Sequence, residues 1–445
     1  MKNYTFKLFT SLLLLSTFII FSSGVNSSGA AQTTSNKFVS SGLREINPPP
    51  IDDQNRVIAI VGATLISPSS NIINDSTVVI RGPEIAAAGP RQSIPIPDGA
   101  EIVKTTGLFL IPGLIDSHFH IERDYDLPRL YLTHGVTSLR DPGQWIQIYD
   151  PIRKSPLPQP RCFVAGPHLD SPPHAHPLDA FTVTNAEQTR LAVNRFIDEG
   201  ASVIKVYYRL PLNLMEVACK SAHARGVPVT AHLELVSAAD AIRAGLDGIE
   251  HITSFGTALA DPVDAERFRE AVAADNEARR KARYELWSRL DLEQSSRVKP
   301  LLQEIMKNKI FVSATLAVFE RRRGDRGTSE TEVRGFENML KFAGMCQRAG
   351  ATLVVGSHSS VPKAERGWAY QRELELLAEC GLSPAEVLAA ATLNNARYFR
   401  TGNRLGSTEH GKLADLVLLR ANPLENVANY RKVDRVMLNG RWFTP

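Results

Sequence analysis

The sequence predicts an α/β protein in which eight strand–helix units form a (β/α)₈ barrel, with a small β-sandwich built from both ends of the chain. Between residues 110 and 355, eight short apolar runs alternate with helical segments, as parallel β/α units require. The flanking regions, residues 57–105 and 415–438, contain strand-like runs separated by glycine and proline. The length of 445 residues fits one barrel with an appended sheet domain.

The composition is that of a globular protein rather than a disordered or nucleic-acid-binding one. Hydrophobic residues make up 43% of the chain and charged residues 22%. The formal net charge of +4 is small and evenly spread, which argues against nucleic acid as a partner. The four cysteines are far apart and form no C-x-x-C pair, so their spacing does not demand a disulfide.

The N-terminus has the pattern of a secretory signal. Lys2 and Lys7 accompany an apolar stretch, residues 8–21, which small residues follow. The stretch contains hydroxyl residues and is shorter than the roughly 20 residues that a membrane span needs, so no stable span is predicted. We interpret residues 1–30 as a signal peptide cleaved after Ala30, which predicts an exported protein. An uncleaved N-terminal anchor is the alternative.

The rest of the chain divides into three regions. Residues 31–56 are rich in Ser, Thr, Asn and Pro and are interpreted as a linker. Residues 57–110 together with 405–445 form the predicted β-sandwich, and residues 111–404 form the predicted barrel. The eight barrel strands are expected at Leu110–Ile115, Gly135–Leu139, Cys162–Ala165, Val203–Tyr207, Pro228–Ala231, Gly248–Glu250, Phe311–Ala314 and Thr352–Val355.

One connection in the predicted barrel is unusually long and charged. Residues 261–309 are interpreted largely as an exposed helix, with Arg279–Arg289 on its outer face. A lid over the active site is the alternative interpretation of the same segment.

Histidines stand at the carboxyl ends of several predicted strands. His118 and His120 close the first strand, and residues i and i+2 of a strand face the same side, so both imidazoles can bind one metal. Lys205 lies within the apolar fourth strand, where an unpaired ammonium is costly. His232 and His251 end the fifth and sixth strands. Because catalytic groups of barrel enzymes come from such strand ends, the joint pattern predicts a metal site.

Three further motifs occur in order along the chain. Residues 112–120 read PGLIDSHFH, residues 391–397 read ATLNNAR and residues 411–417 read GKLADLV. Together they resemble the amidohydrolase superfamily, and within it the imidazolonepropionase-like and Xaa-Pro-dipeptidase-like branch. The resemblance covers residues 57–445 and implies a metal-dependent hydrolase.

The resemblance also implies a role for each residue of the predicted metal site. His118 and His120 would bind the more buried of two metals, expected to be Zn²⁺. Lys205 would be carboxylated and bridge both metals, and His232 and His251 would bind the second one. A water between the metals would lose a proton near neutral pH and attack a carbonyl carbon.

One residue departs from the family pattern. The superfamily places an aspartate after the eighth strand, where this chain has His358 in the sequence Gly-Ser-His. Three outcomes follow. His358 replaces the aspartate as ligand or general base, a nearby carboxylate such as Glu234 or Asp141 takes over, or hydrolysis is weak or absent. We favour the first, with His358 as the catalytic residue.

Further residues are candidates for contact with substrate. His168, His174 and His176 lie in a proline-rich loop after the third strand, where related proteins often have a histidine that faces substrate. Tyr207 follows Lys205 and either lines the pocket or packs. The pair Arg140-Asp141 at the end of the second strand contacts substrate or forms an internal ion pair.

The functional prediction is hydrolysis of a C–N bond in a small amide, cyclic amide or dipeptide. The alternative is a binding protein that keeps the barrel and pocket but has lost turnover. Residue 358 separates the two, because the family pattern places the proton acceptor there. The sequence leaves a homo-oligomer open.

Overall fold

The computed structural model describes residues 45–47, 49 and 54–443. The predicted signal peptide and most of the predicted linker lie outside these residues. Among the helices in the described part of the chain, none combines the length and the hydropathy that crossing a bilayer requires.

Strands make up both ends of the described chain and alternate with helices in its middle. They are β1 Val57–Val61, β2 Thr64–Leu65, β3 Ser76–Arg81, β4 Glu84–Pro90, β5 Glu101–Lys104, β6 Phe109–Pro112, β7 Leu114–Asp116, β8 Val136–Asp141, β9 Arg161–Val164, β10 His168–Asp170, β11 Ala180–Thr182, β12 Ile204–Val206, β13 Val229–Ala231, β14 Gly248–Glu250, β15 Phe311–Ser313, β16 Thr352–Val354, β17 Leu416–Leu419, β18 Val433–Leu438 and β19 Arg441–Phe443.

Helices follow most strands of the middle region. They are α1 Leu127–Thr133, α2 Asp150–Arg153, α3 Ala186–Glu199, α4 Leu212–His223, α5 Ala238–Arg243, α6 Gly256–Leu259, α7 Pro262–Ala274, α8 Asn276–Arg289, α9 Val298–Lys307, α10 Leu316–Phe319, α11 Glu330–Arg348, α12 Ala369–Glu379, α13 Pro384–Ala389 and α14 Asn395–Tyr398. Single 3₁₀ turns cover Ile146–Tyr149, Ile252–Phe255 and Val427–Arg431, and a π-helical turn covers Ala390–Asn394.

The terminal strands form two sheets that share one apolar cluster. One sheet has the order β4-β3-β1-β5 and the other the order β19-β18-β17-β6-β2. Strand β17 pairs antiparallel with β6, so the second sheet joins the two ends of the chain. Ile58 and Ile80 of the first sheet pack with Leu110, Leu416 and Met437 of the second. The composite domain and its sandwich architecture stay predictions.

All eight predicted barrel strands occur, in two parallel sheets. One sheet has the order β7-β8-β9, and the other has the order β11-β10-β12-β13-β14-β15-β16. The first predicted run, Leu110–Ile115, is divided at Gly113, and its first half belongs to the terminal sheet as β6. A Cβ at Gly113 would lie 2.2 Å from Oγ1 of Thr137, so only glycine lets the chain pass so close to β8.

Backbone hydrogen bonds join the two parallel sheets at two places, one before β12 and one after β16. The amide of Ser202 donates to the carbonyl of Val164 at 2.8 Å, and the amide of Ser117 donates to the carbonyl of Val355 at 2.8 Å. The side-chain amide of Asn395 donates to the carbonyls of both Ile115 and Val355. The result is a TIM-barrel-like α/β fold with the carboxyl ends of the strands on one side, and a fully closed (β/α)₈ barrel stays a prediction.

Residues 45–47, within the predicted linker, contact the folded chain. The carboxylate of Glu45 accepts hydrogen bonds from Arg161 at 2.9 Å and from Arg404 at 3.1 Å. Arg161 is buried on β9 and also donates to Asp415 at 2.8 Å, just before β17. One guanidinium therefore connects the N-terminal segment, the parallel sheet and the C-terminal sheet.

Candidate metal centre

A buried carboxylate ties the histidine pair to the eighth parallel strand. Asp116, the last residue of β7, accepts hydrogen bonds from the amides of His118 and Ser357, each at 3.0 Å. The amide of His358 donates to the carbonyl of His118 at 2.6 Å. Gly356 permits this approach, since a Cβ there would lie 2.6 Å from the Cβ of His118. The residue that departs from the family pattern therefore lies beside the H-x-H pair.

Three histidines form a compact donor set at this point. The candidate ligand atoms of His118, His120 and His358 all lie within 4.8 Å of one another. The Nε2 atoms of His118 and His120 are 3.1 Å apart. Nitrogen donors at such spacing suit Zn²⁺ and similar divalent ions, so these residues fit the first metal that the sequence predicts.

The remaining predicted ligands adjoin this set. The ring centroid of His251 lies 4.5 Å from that of His118 and 4.4 Å from that of His232. His251 has a left-handed backbone with φ +66°, which turns the chain at the end of β14. The five histidines therefore form one continuous cluster at the carboxyl ends of four strands.

Lys205 lies on β12 with its amine buried. Its Nζ has no hydrogen-bond partner among the described residues. Burial, aided by the charge of Arg140 and opposed by that of Glu250, lowers the pKa of Lys205 to about 7. A substantial fraction of the amine is therefore neutral at neutral pH, which is the reactive form for carboxylation.

Each of four histidines is held through one ring nitrogen, which orients the ring and leaves the other nitrogen for the cluster. For His118, the Nδ1 atom is the one held, so Nε2 faces His120. The contacts are His118 Nδ1 to Glu250 at 2.7 Å, His251 Nδ1 to Thr315 at 2.7 Å, His232 Nε2 to Glu234 at 3.3 Å and His120 Nδ1 to Asp141 at 3.5 Å.

Burial keeps most of these imidazoles neutral, the form that binds metal. It lowers the pKa of His118, His251 and His358 well below the usual range and that of His232 to about 3. His120 differs, because Asp141 outweighs burial and raises its pKa.

Glu250 and Arg140 form a buried ion pair behind His118. The Oε2 atom of Glu250 faces His118, and its Oε1 accepts hydrogen bonds from Arg140 at 2.7 Å, Thr230 at 2.8 Å and Tyr398 at 3.0 Å. Both charged side chains are fully buried. Arg140 therefore pairs neither with its sequence neighbour nor with substrate. The sequence contained one indication of this pair, since Arg140 and Glu250 are charged residues that each stand near the end of an apolar strand.

The cluster opens into a cavity of about 360 Å³. His176, Tyr207 and His168 line it, and His168 stacks on Tyr207 with ring centroids 4.2 Å apart. A Cβ at Gly143 would lie 1.9 Å from Nε2 of His168, so glycine there makes room for this ring. His174 is exposed and lies outside the lining. Of the three histidines predicted in the loop after the third strand, His168 instead begins β10, and it lines the cavity together with His176.

Three arginines of α8, Arg279, Arg280 and Arg283, also line the cavity, and Arg280 is exposed. Arg279 and Arg283 are 5% and 8% exposed, so the interpretation that this helix turns Arg279–Arg289 outward is wrong for both. Glu234 explains the difference, because its carboxylate accepts a hydrogen bond from Arg283 at 2.9 Å and from Arg279 at 3.1 and 3.2 Å. The sequence does not reveal this pairing, since about 45 residues separate the partners.

The carboxylates proposed as substitutes for the missing aspartate are already engaged. Glu234 binds the two arginines, and Asp141 accepts hydrogen bonds from Tyr149 at 2.8 Å and from two backbone amides. Glu122 and Asp179 line the cavity instead. Burial raises the pKa of Glu122, while the charge of His120 opposes the rise. Sequence reasoning missed Glu122, although it stands two residues after the H-x-H pair.

Sequence comparison finds relatives for part of the chain. Residues 328–443 match the amidohydrolase family. An adenine deaminase of Mesorhizobium japonicum is 35% identical over 75 residues, which is 16% of this chain and 12% of that protein. An imidazolonepropionase of Geobacillus sp. is 42% identical over 66 residues, which is 14% of this chain and 16% of that protein. The alignments thus span less than a fifth of either relative.

Structural comparison extends the similarity to most of the chain. The crystal structure of a Xaa-Pro dipeptidase with bound methionine in its active site matches with a TM-score of 0.68 and 19% identity, over 87% of this chain and 100% of that one. At this identity the match shows a shared fold. The match to the amidohydrolase family itself is confined to residues 328–443.

Proposed function

We propose that the chain is a metal-dependent hydrolase that cleaves a C–N bond in a small amide, cyclic amide or dipeptide. The observation that carries the proposal is the convergence of five histidines and a buried, unpartnered lysine on one cavity at the carboxyl ends of the parallel strands. The names of the relatives, an imidazolonepropionase and a Xaa-Pro dipeptidase among them, support a substrate of this class. The predicted signal peptide supports export.

The proposed centre holds two divalent metals, with Zn²⁺ as the expected ion. His118, His120 and His358 would hold the first, and His232 and His251 the second. The neutral amine of Lys205 would attack CO₂, forming an N–C bond and releasing one proton. The resulting carbamate on Lys205 would supply anionic oxygens that help to hold the metals. When bound, the metals supply a water of lowered pKa and polarise the substrate carbonyl.

His358 supplies an imidazole where the family pattern has an aspartate. Its Nδ1 atom is buried and has no hydrogen-bond partner among the described residues, so it is free to bind a cation or to accept a proton. A neutral imidazole brings no negative charge, so the remaining anionic ligand of the centre would be the carbamate on Lys205. Carboxylation of Lys205 is therefore more important here than in a centre that also has the aspartate.

The first test is the metal content of the purified protein, measured by inductively coupled plasma mass spectrometry without chelator. We expect about two metals per chain, followed by hydrolysis of at least one member of a panel of dipeptides, N-acyl amino acids and cyclic amides. One metal per chain would indicate a mononuclear centre. No metal after addition of Zn²⁺ would refute the hydrolase.

One observation favours a second candidate, a binding protein on the same fold. His358 stands where the proton acceptor is expected, and the carboxylates Glu234 and Asp141 are occupied by other donors. Full metal content without turnover of any substrate in the panel would support this candidate. Restoration of turnover by His358→Asp would then identify the histidine as the cause.

A further inference from the structure

We propose that Arg279 and Arg283 form a subsite for an anionic group of the substrate, so the preferred substrate is an amide that carries a carboxylate rather than a neutral amide. The inference rests on the proposed function for the position of the reacting bond. The subsite itself rests on the charges and contacts of α8, which can be tested by binding alone.

The two arginines lie on one face of α8. They are four residues apart, and side chains at this spacing stand above one another on a helix. Both side chains are more than nine-tenths buried, and yet both line the cavity that contains the histidine cluster. The helix thus presents two buried cations, besides the exposed Arg280, to a cavity of about 360 Å³.

The local charges do not cancel. Glu234 is the shared partner of both guanidinium groups, so one negative charge faces two positive ones. The pair therefore has an excess of one positive charge, and an excess charge in a buried position is costly unless an anion neutralises it.

The other acidic residues of the cavity do not supply that anion. Glu122 and Asp179 line the cavity, but within the described chain neither forms an ion pair with Arg279 or Arg283.

Donor groups and aromatic contacts also indicate a prepared site. The Nε atoms of Arg279 and Arg283 are buried without a hydrogen-bond partner among the described residues. The guanidinium carbon of Arg279 lies 4.7 Å from the ring centroid of Tyr208, and that of Arg283 lies 5.1 Å from the ring centroid of Phe319. Such contacts hold both cations in place before a ligand arrives.

The subsite adjoins the metal cluster through a single side chain. Glu234 contacts the arginines with the same carboxylate whose Oε1 lies 3.3 Å from Nε2 of His232. An anion bound by the arginines would therefore lie close to the predicted second metal. A small substrate can span the two only if its anionic group is a few bonds from the scissile amide, as in an N-acyl amino acid or a dipeptide.

The test compares the binding of N-acetyl-L-alanine with that of its neutral amide, N-acetyl-L-alaninamide, to the zinc-loaded protein by calorimetry. We expect the acid to bind at least tenfold more tightly than the amide. In Arg279→Gln and in Arg283→Gln the preference should fall below about threefold, because the remaining arginine is neutralised by Glu234. The control is Arg289→Gln on the same helix, whose partner Asp264 lies at the surface.

The comparison of the acid with the amide is made on the wild-type protein. It can therefore contradict the inference even if an arginine variant fails to fold. Acid binding no tighter than amide binding, including the absence of measurable binding of either, would overturn it. A preference that survives in both arginine variants would overturn it as well, since direct contact of the acid with zinc would then explain the preference. Metal content and turnover are measured separately, so loss of the proposed hydrolase would not be confused with loss of the subsite.

Discussion

Replacing Glu250 by glutamine should weaken metal binding and also lower the stability of the fold. Both carboxylate oxygens act as acceptors, Oε2 toward His118 and Oε1 toward Arg140, Thr230 and Tyr398. An amide has one acceptor oxygen and one NH₂ group, so it can satisfy only one of these two sides. Because three donors converge on Oε1, the amide oxygen should stay there and the NH₂ group should face the imidazole.

The consequence for His118 is a change of tautomer. With an NH₂ donor opposite, Nδ1 would have to accept, and the ring proton would move to Nε2, the atom that faces His120. A protonated Nε2 cannot bind metal. We expect the metal affinity to fall by about 10- to 100-fold, which corresponds to about 1.4–2.7 kcal/mol. The weakened partner of Arg140 should also lower the free energy of unfolding by about 3 kcal/mol.

The assay is a competitive zinc titration together with urea unfolding of the metal-free protein. Glu320→Gln is the matched control, because Glu320 is 2% exposed and pairs with Arg322 and Arg372 away from the cavity. It should lose stability and keep wild-type zinc affinity. Equal losses of zinc affinity in the two variants, or none in Glu250→Gln, would refute the tautomer argument.

Three further substitutions test other parts of the site. His358→Ala removes one of three clustered donors and should lower zinc affinity at least tenfold, as measured by dialysis and metal analysis. The control is His174→Ala, which should keep wild-type affinity because His174 is exposed and lies outside the cavity. Lys205 has a pKa lowered to about 7, so the native chain binds fewer protons than the unfolded chain between about pH 7 and 10, and stability rises with pH there. The free energy of unfolding is measured between pH 7 and 9 in the absence of metal and CO₂. Its slope against pH should fall in Lys205→Met by up to about 1.4 kcal/mol per pH unit. An unchanged slope would contradict a buried neutral amine at this position. Gly143→Ala should displace His168, cost about 1–3 kcal/mol in urea unfolding and raise KM, whereas a wild-type KM would show that His168 does not face substrate.

Much of the site could be predicted from sequence because its residues follow the strand order. His118, His232 and His251 stand directly after short apolar runs, and parallel strands bring their carboxyl ends to one side. Lys205 was visible as a charge within an apolar strand. The local pattern thus contained both the position and the chemistry of these groups.

The residues that the sequence did not reveal depend on tertiary contacts. Arg279 and Arg283 have the pattern of a solvated helix, and only the opposing carboxylate of Glu234 turns them inward. Glu250 and Arg140 are 110 residues apart, so neither charge indicates its partner. Charged residues on a helix are usually exposed to solvent. The pattern of charges along one helix does not indicate a buried ion pair, because the partner residue lies elsewhere in the sequence.

The hydrogen bonds at the edge between β7 and β16 have a consequence for how the chain reaches its fold. Ser117 and Val355 are 238 residues apart, and the side chain that bridges their two strands, Asn395, comes later still. The edge of β7 therefore has no partner until nearly the whole polypeptide has been made. Contacts of such long range slow folding and leave strand edges open to other chains in the meantime.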